Sequence, residues 1–144
     1  MRRVVEDFGG RLEEVSGAVV GAGPIAERVG AAIDAYWDLM SGDHFLSVIQ
    51  IMLEARHDPA LYAHMFERMK GYEAHLDLHW VRMFHGCRIP AQRIKAARHV
   101  AIAALRGLSV RMVYRRDRTR WSAELRLLKE MIAHTLVSPA KQTA

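Results

Sequence analysis

The sequence predicts an all-α fold, and three observations carry that prediction. Apolar residues recur three and four positions apart along almost the whole chain. No stretch sustains the two-residue alternation of a half-buried strand, and Gly, Pro and Asp stand at positions that start or stop helices. With 144 residues, 51% of them hydrophobic and 26% charged, the chain suits one globular domain that buries most of its unfolded surface.

Six helices are expected. The first carries Val5, Phe8, Leu12, Val15 and Val19 on one face and begins at Met1-Arg2-Arg3 without a capping residue, as expected of a longer helix cut in its middle. Gly21-Ala22-Gly23-Pro24 breaks it, and proline at a first helical position opens a second helix over about 24–40 with the stripe Ile25, Val29, Ile33, Tyr36, Trp37 and Met40. Ser41-Gly42-Asp43 then supplies a stop and a new cap. Phe45 to Ala55 is apolar on nearly every side, which predicts a short, enclosed third helix.

Asp58-Pro59 opens the long fourth helix, whose stripe includes Met65, Phe66, Met69, Tyr72, Leu76, Trp80 and Met83, and which ends near Gly86. Ile89-Pro90 begins the fifth. There Ala97 to Tyr114 is apolar all round except for His99, Arg106, Ser109 and Arg111, so the helix must be covered on more than one side. A turn around Asp117 and Thr119 leads into the sixth, where Trp121, Leu125, Leu128, Ile132 and Leu136 follow a near-heptad order beside Leu127 and Met131. Apolar faces on both final helices point to a symmetric partner surface, most simply a four-helix bundle in a homodimer. Its expected residues are Leu108 and Met112 on one helix, and Trp121, Leu125, Leu128 and Ile132 on the other. Residues 1–137 read as one domain and 138–144 as a disordered tail.

Composition removes several function classes. The apolar runs are too short to span a bilayer and the N-terminus lacks a signal-peptide core, so a cytoplasmic protein with no membrane partner is expected. The single cysteine, Cys87, precludes an intrachain disulfide and any multi-cysteine zinc site. A net charge of +5 invites a nucleic-acid reading, but the arginines are spread at helix-surface spacings. The densest run, Arg111 to Arg120, has no interleaved aromatic platform.

Eight of the eleven aromatic residues and five of the eight methionines lie between Tyr36 and Phe84, a density suited either to an ordinary helical core or to an adaptable apolar pocket. Arg106, set among Ala104, Leu105, Gly107 and Leu108, shares a face with His99 and needs a partner. That partner is a ligand carboxylate or phosphate, or an acidic side chain such as Glu54 or Asp77. His75 and His79, one helical turn apart, supply only two metal ligands, and the single Glu54-x-x-His57 is one half of what a di-iron bundle requires. There is no Gly-x-Ser-x-Gly and no phosphate-cradling glycine loop. No metal, no cofactor and no catalysis are therefore expected. The rival reading is a small helical metal- or cofactor-binding bundle that uses His75, His79 and nearby acids.

The order of elements, with "SGDHFLSVIQIMLEARHDPAL", "AIAALRGLSVRMV" and "ELRLLKEMIAHTL" in sequence, resembles the C-terminal effector domain of TetR (tetracycline repressor) family transcriptional regulators over about residues 4–137. Its most specific pieces are Glu54-Ala55-Arg56-His57-Asp58-Pro59 and Leu105-Arg106-Gly107-Leu108. The resemblance implies a six-helix ligand-sensing domain that dimerises through its last two helices around an apolar small-molecule pocket. Trp37, Phe45, Met52, Met69 and Tyr72 would line that pocket, with His79, Trp80, Met83, Ile102 and Arg106 completing it. A bound ligand would shift the first helix and so reset two DNA-reading heads. Residues 1–23 have no room for a helix-turn-helix, so DNA would be met only through an N-terminal unit missing from this sequence. A natural effector-domain-only protein that pairs with and titrates a full regulator is the remaining alternative.

Overall fold

The computed structural model describes residues 7, 10, 11, 14, 23–113 and 121–138. Among them are five helices and no strand: α1 (Ile25–Met40), α2 (Asp43–Ala55), α3 (Pro59–Met83), α4 (Ala91–Met112) and α5 (Trp121–Val137). The all-α expectation holds. Most of the expected first helix, the turn at Asp117 and Thr119, and all of the expected tail beyond Ser138 lie outside the described residues. Asp7, Gly10, Arg11 and Glu14 are helical, and the Asp7 carboxylate meets His44 Nε2 at 3.0 Å.

Each boundary has a local cause. Pro24 sits extended before α1, where a missing N–H costs nothing, and Gly42 does the same before α2. The Asp58 carboxylate accepts from the backbone N–H groups of Ala60 (3.0 Å) and Leu61 (3.1 Å), with Pro59 in the first turn of α3, a cap worth about 1 kcal/mol. After α3 the chain reverses through Gly86 (φ 84°) and Arg88 (φ 55°), left-handed positions of which glycine takes the first without steric cost.

The core runs along α1, α3, α4 and α5. From α1 it takes Val29, Ile33, Tyr36 and Met40, spaced three and four apart. The Trp80 ring of α3 lies 6.4 Å from Tyr36 at an interplanar angle of 17° and 5.9 Å from Phe84, and its Nε1 donates to Tyr36 Oη at 3.2 Å. The acceptor spares the indole N–H the cost of burial without a hydrogen bond. α5 packs on both α1 and α4, and Lys129 Nζ reaches Asp34 Oδ1 of α1 at 2.6 Å.

One expectation is corrected. α2 is not enclosed: only Phe45, Val48 and Ala55 are buried, and Leu53 is 54% exposed. Its main helix contacts are with α1 and α3, so an apolar circumference meets too few partners to be covered. α4 is covered on more than one side, by α1, α3 and α5, through Ala97, Ala101, Ile102, Leu105 and Ser109, while Val100 is 58% exposed. No helix of the described residues is long and apolar enough to cross a membrane.

Candidate functional site

The polar chemistry of the domain gathers where α3 lies against α4. Glu73 and Asp77, four residues apart, occupy one face of α3. Arg98 projects from α4 with its side chain fully buried. Its Nε donates to Asp77 Oδ1 at 2.7 Å and its Nη2 to Glu73 Oε2 at 2.5 Å, a two-carboxylate fork that suits the planar guanidinium. Arg106, two turns on and partly exposed, donates from Nη2 to the other Glu73 oxygen at 3.2 Å. His99 Nε2 lies 3.3 Å from Asp77 Oδ1.

Burial alone would raise the pKa of Glu73. Hydrogen bonding and charge from Arg98, joined by Arg106, outweigh it and hold the carboxyl below its ordinary value. Glu73 is thus ionised in the fold, as a buried cation needs its counter-charge to be. Arg98 Nη1 and Arg106 Nε are enclosed without an acceptor, so the network leaves donor capacity unused. These residues, with Ala74, Ile102 and Ala103, line an open groove of about 550 Å³.

A second concavity differs in every respect. Met52 and Ala55 of α2 face Tyr62, Met65, Phe66 and Met69 of α3 around an apolar cleft of about 80 Å³. Its outer wall is the Tyr62–Phe66 ring pair, 6.1 Å apart, with Lys70 Nζ 5.4 Å from the Phe66 centroid. The Tyr62 and Phe66 rings are about half exposed and Met52 and Met69 half-buried, whereas Met65 and Ala55 are buried.

The ten residues expected to line one ligand pocket therefore do not converge. Phe45, Trp80, Met83 and Ile102 belong to the packed core, against which Trp37 and Met52 also rest. Met52 and Met69 border the apolar cleft, whereas Ile102 and Arg106 border the polar groove. Tyr72 and His79 are half-buried on α3. The aromatic density is consumed chiefly by packing of Tyr36, Trp80 and Phe84 on one another. For Arg106, the acidic-partner alternative is realised, although through Glu73 rather than Glu54 or Asp77. Arg98, the one fully buried charge among the described residues, was missed. Its signal was available, because it stands four residues before Ile102 and seven before Leu105 on the apolar stripe of α4.

The stripe expected to face a partner has another role. Trp121, Leu125, Leu128 and Ile132 are buried within the subunit, the last three in its main core. The Trp121 ring lies 6.4 Å from Trp37 and 5.4 Å from the Arg111 guanidinium. Leu108 rests on the core, and Met112 lines a further cavity of about 530 Å³ with Met40, Ser41, Asp43, Leu46, Ser109 and Val113. The outward large apolar side chains of the last two helices are Val100 and Val110 on α4 and Leu127 (57% exposed), Met131 (56% exposed) and the terminal Val137 on α5. Val100, Ala103, Gly107 and Val110 follow a three-four-three spacing, and Leu127 and Met131 stand one turn apart.

His75 is exposed and His79 half-buried, and among the described residues no three His, Cys, Asp or Glu side chains gather as a metal site. Compared with known proteins, the chain matches no family model, no curated protein and no solved structure.

Proposed function

We propose that this chain is a ligand-sensing, homodimerising domain of a TetR-like transcriptional regulator, with DNA contact made by a helix-turn-helix unit that these residues do not include. The observation that supports the reading best is the outward apolar stripe on the last two helices, formed by Val100 and Val110 with Leu127 and Met131. A stripe of this spacing is buried when two copies pack their α4–α5 pairs into a four-helix bundle, and small residues at Ala103 and Gly107 let the helices approach closely.

Light scattering at micromolar concentration tests the pairing. The expected result is a dimer that Leu127→Glu with Met131→Glu converts into a folded, helical monomer. A stable monomer for the unaltered chain overturns the proposal. The regulatory half is tested by reading the DNA upstream of Met1 in frame, where a helix-turn-helix is the expected companion. An immediate stop codon there would favour an effector-domain-only protein that pairs with a full regulator.

A further inference from the structure

Guanidinium groups at the α3–α4 groove all have carboxylate partners, but those at one end of the bundle do not. There the start of α1, the turn after α3, the first turn of α4 and the end of α5 enclose a cleft of about 200 Å³. Arg88 and Arg93 line it, and neither forms an ion pair with any described residue. Behind them Arg28 donates from Nε to Gly23 O (2.8 Å) and from Nη1 to Met83 O (2.7 Å), and Nη1 lies 3.5 Å from Cys87 Sγ. Its partners are carbonyls and a thiol, and the Glu27 carboxylate lies nearby against Gly23, but no Asp or Glu among the described residues lines the cleft beside Arg88 and Arg93. The rest of the wall is apolar: Ile25, Ile89, Leu136 and Val137.

We propose that this cleft binds a small molecule with an oxyanion head, carboxylate or phosphate, and a short apolar tail. The head pairs with Arg88 and Arg93, whose forked donors match either oxyanion. The tail lies on Ile25, Ile89 and Leu136. The α4 backbone adds to the attraction, because Pro90 provides no side-chain cap and leaves the first N–H groups of a 22-residue helix facing this end. Drug-sized ligands occupy roughly 300–1,000 Å³, so this cleft suits something smaller. The proposal deepens the sensing role above by naming a ligand class and its site, and it has its own readout.

That readout is Cys87, which lines the cleft and is the only cysteine of the chain. Its rate of modification by a neutral thiol reagent is measured with hexanoate, hexyl phosphate, hexanol and inorganic phosphate. Hexanoate and hexyl phosphate are expected to slow the reaction several-fold, and hexanol and inorganic phosphate to leave it nearly unchanged. Arg88→Gln and Arg93→Gln are expected to abolish the protection, and Arg93→Lys to retain part of it. Ligand-free rates equal to that of the parent show that the variants keep the turn intact. Protection by hexanol equal to that by hexanoate, protection by phosphate alone equal to that by hexyl phosphate, protection that survives both Gln variants, or no protection would each overturn the site. Light scattering of the same samples separates the two ideas. A monomer with the expected protection sinks the pairing role and keeps the site, and a dimer without protection does the reverse.

Discussion

The two faces of α3 are closed by different physics. Toward α1, Trp80 is stacked on Tyr36, with Phe84 tilted against its ring, and its one polar atom is satisfied by the Tyr36 hydroxyl. Toward α4, the contact is a fully buried guanidinium held by Glu73 and Asp77. The apolar face gains from each methylene removed from water, at about 0.8 kcal/mol apiece. The charged face sets attraction against the desolvation of three ions, so its net contribution is small while the cost of breaking it is large. One face confers stability, and the other makes that stability conditional on charge.

The comparison is broken most severely at Trp80. Trp80→Ala is expected to cost about 3–5 kcal/mol, independent of pH, read as a shift in the urea midpoint. Asp77→Ala is expected to cost about 3 kcal/mol because it leaves the buried Arg98 with one of its two carboxylates, whereas Arg98→Met removes the buried cation and leaves only the partly exposed Glu73 and Asp77, and so costs less. Equal losses for these two variants would mean that the guanidinium is not the source of the penalty.

A gentler probe is acid. The folded-state pKa of Glu73 lies below its unfolded value, so its contribution is present above the ordinary glutamate value of 4.5 and is lost as the pH falls through the depressed folded value. Urea midpoints measured downward from pH 6 should therefore fall more steeply for the parent than for Glu73→Gln. Parallel curves would remove Glu73 from the acid response. The smallest effect on the stability of the subunit itself, compared at concentrations where both proteins are monomeric, is expected at Leu127→Glu, within about 0.5 kcal/mol, because the side chain is exposed within the subunit. Leu128→Glu, one residue on, places a charge in the core and should unfold the domain. Similar stabilities for the two would erase the distinction between core stripe and pairing stripe.

Helix identity and most boundaries were legible in the sequence, because Asp58-Pro59, Gly42 and Pro24 are local signals that act on neighbouring backbone. Which side of a helix meets what was not. The stripe of Leu125, Leu128 and Ile132 has the same spacing whether it faces its own subunit or a second one, and only tertiary packing chose the first. Arg106 stood out for its apolar neighbours in sequence. Arg98, flanked by Ala97 and His99, is the one that packing encloses, since burial is set by helical phase rather than by adjacent residues. The enclosed α2 failed for a related reason: an apolar composition states a demand for cover but not its supply.

The hydrogen bond from Arg28 to Met83 O joins groups 55 residues apart in the chain. Closing so long a loop carries an entropic penalty that local helix formation does not, and that penalty must be met before the contact rewards it. α1 and α3 can each wind early on their own signals, yet the Arg28 clasp exists only once α1, α2 and α3 have all docked. It ties the entrance of α1 to the exit of the longest helix, and so reports that the first three helices have come together, before α4 and α5 need have joined them.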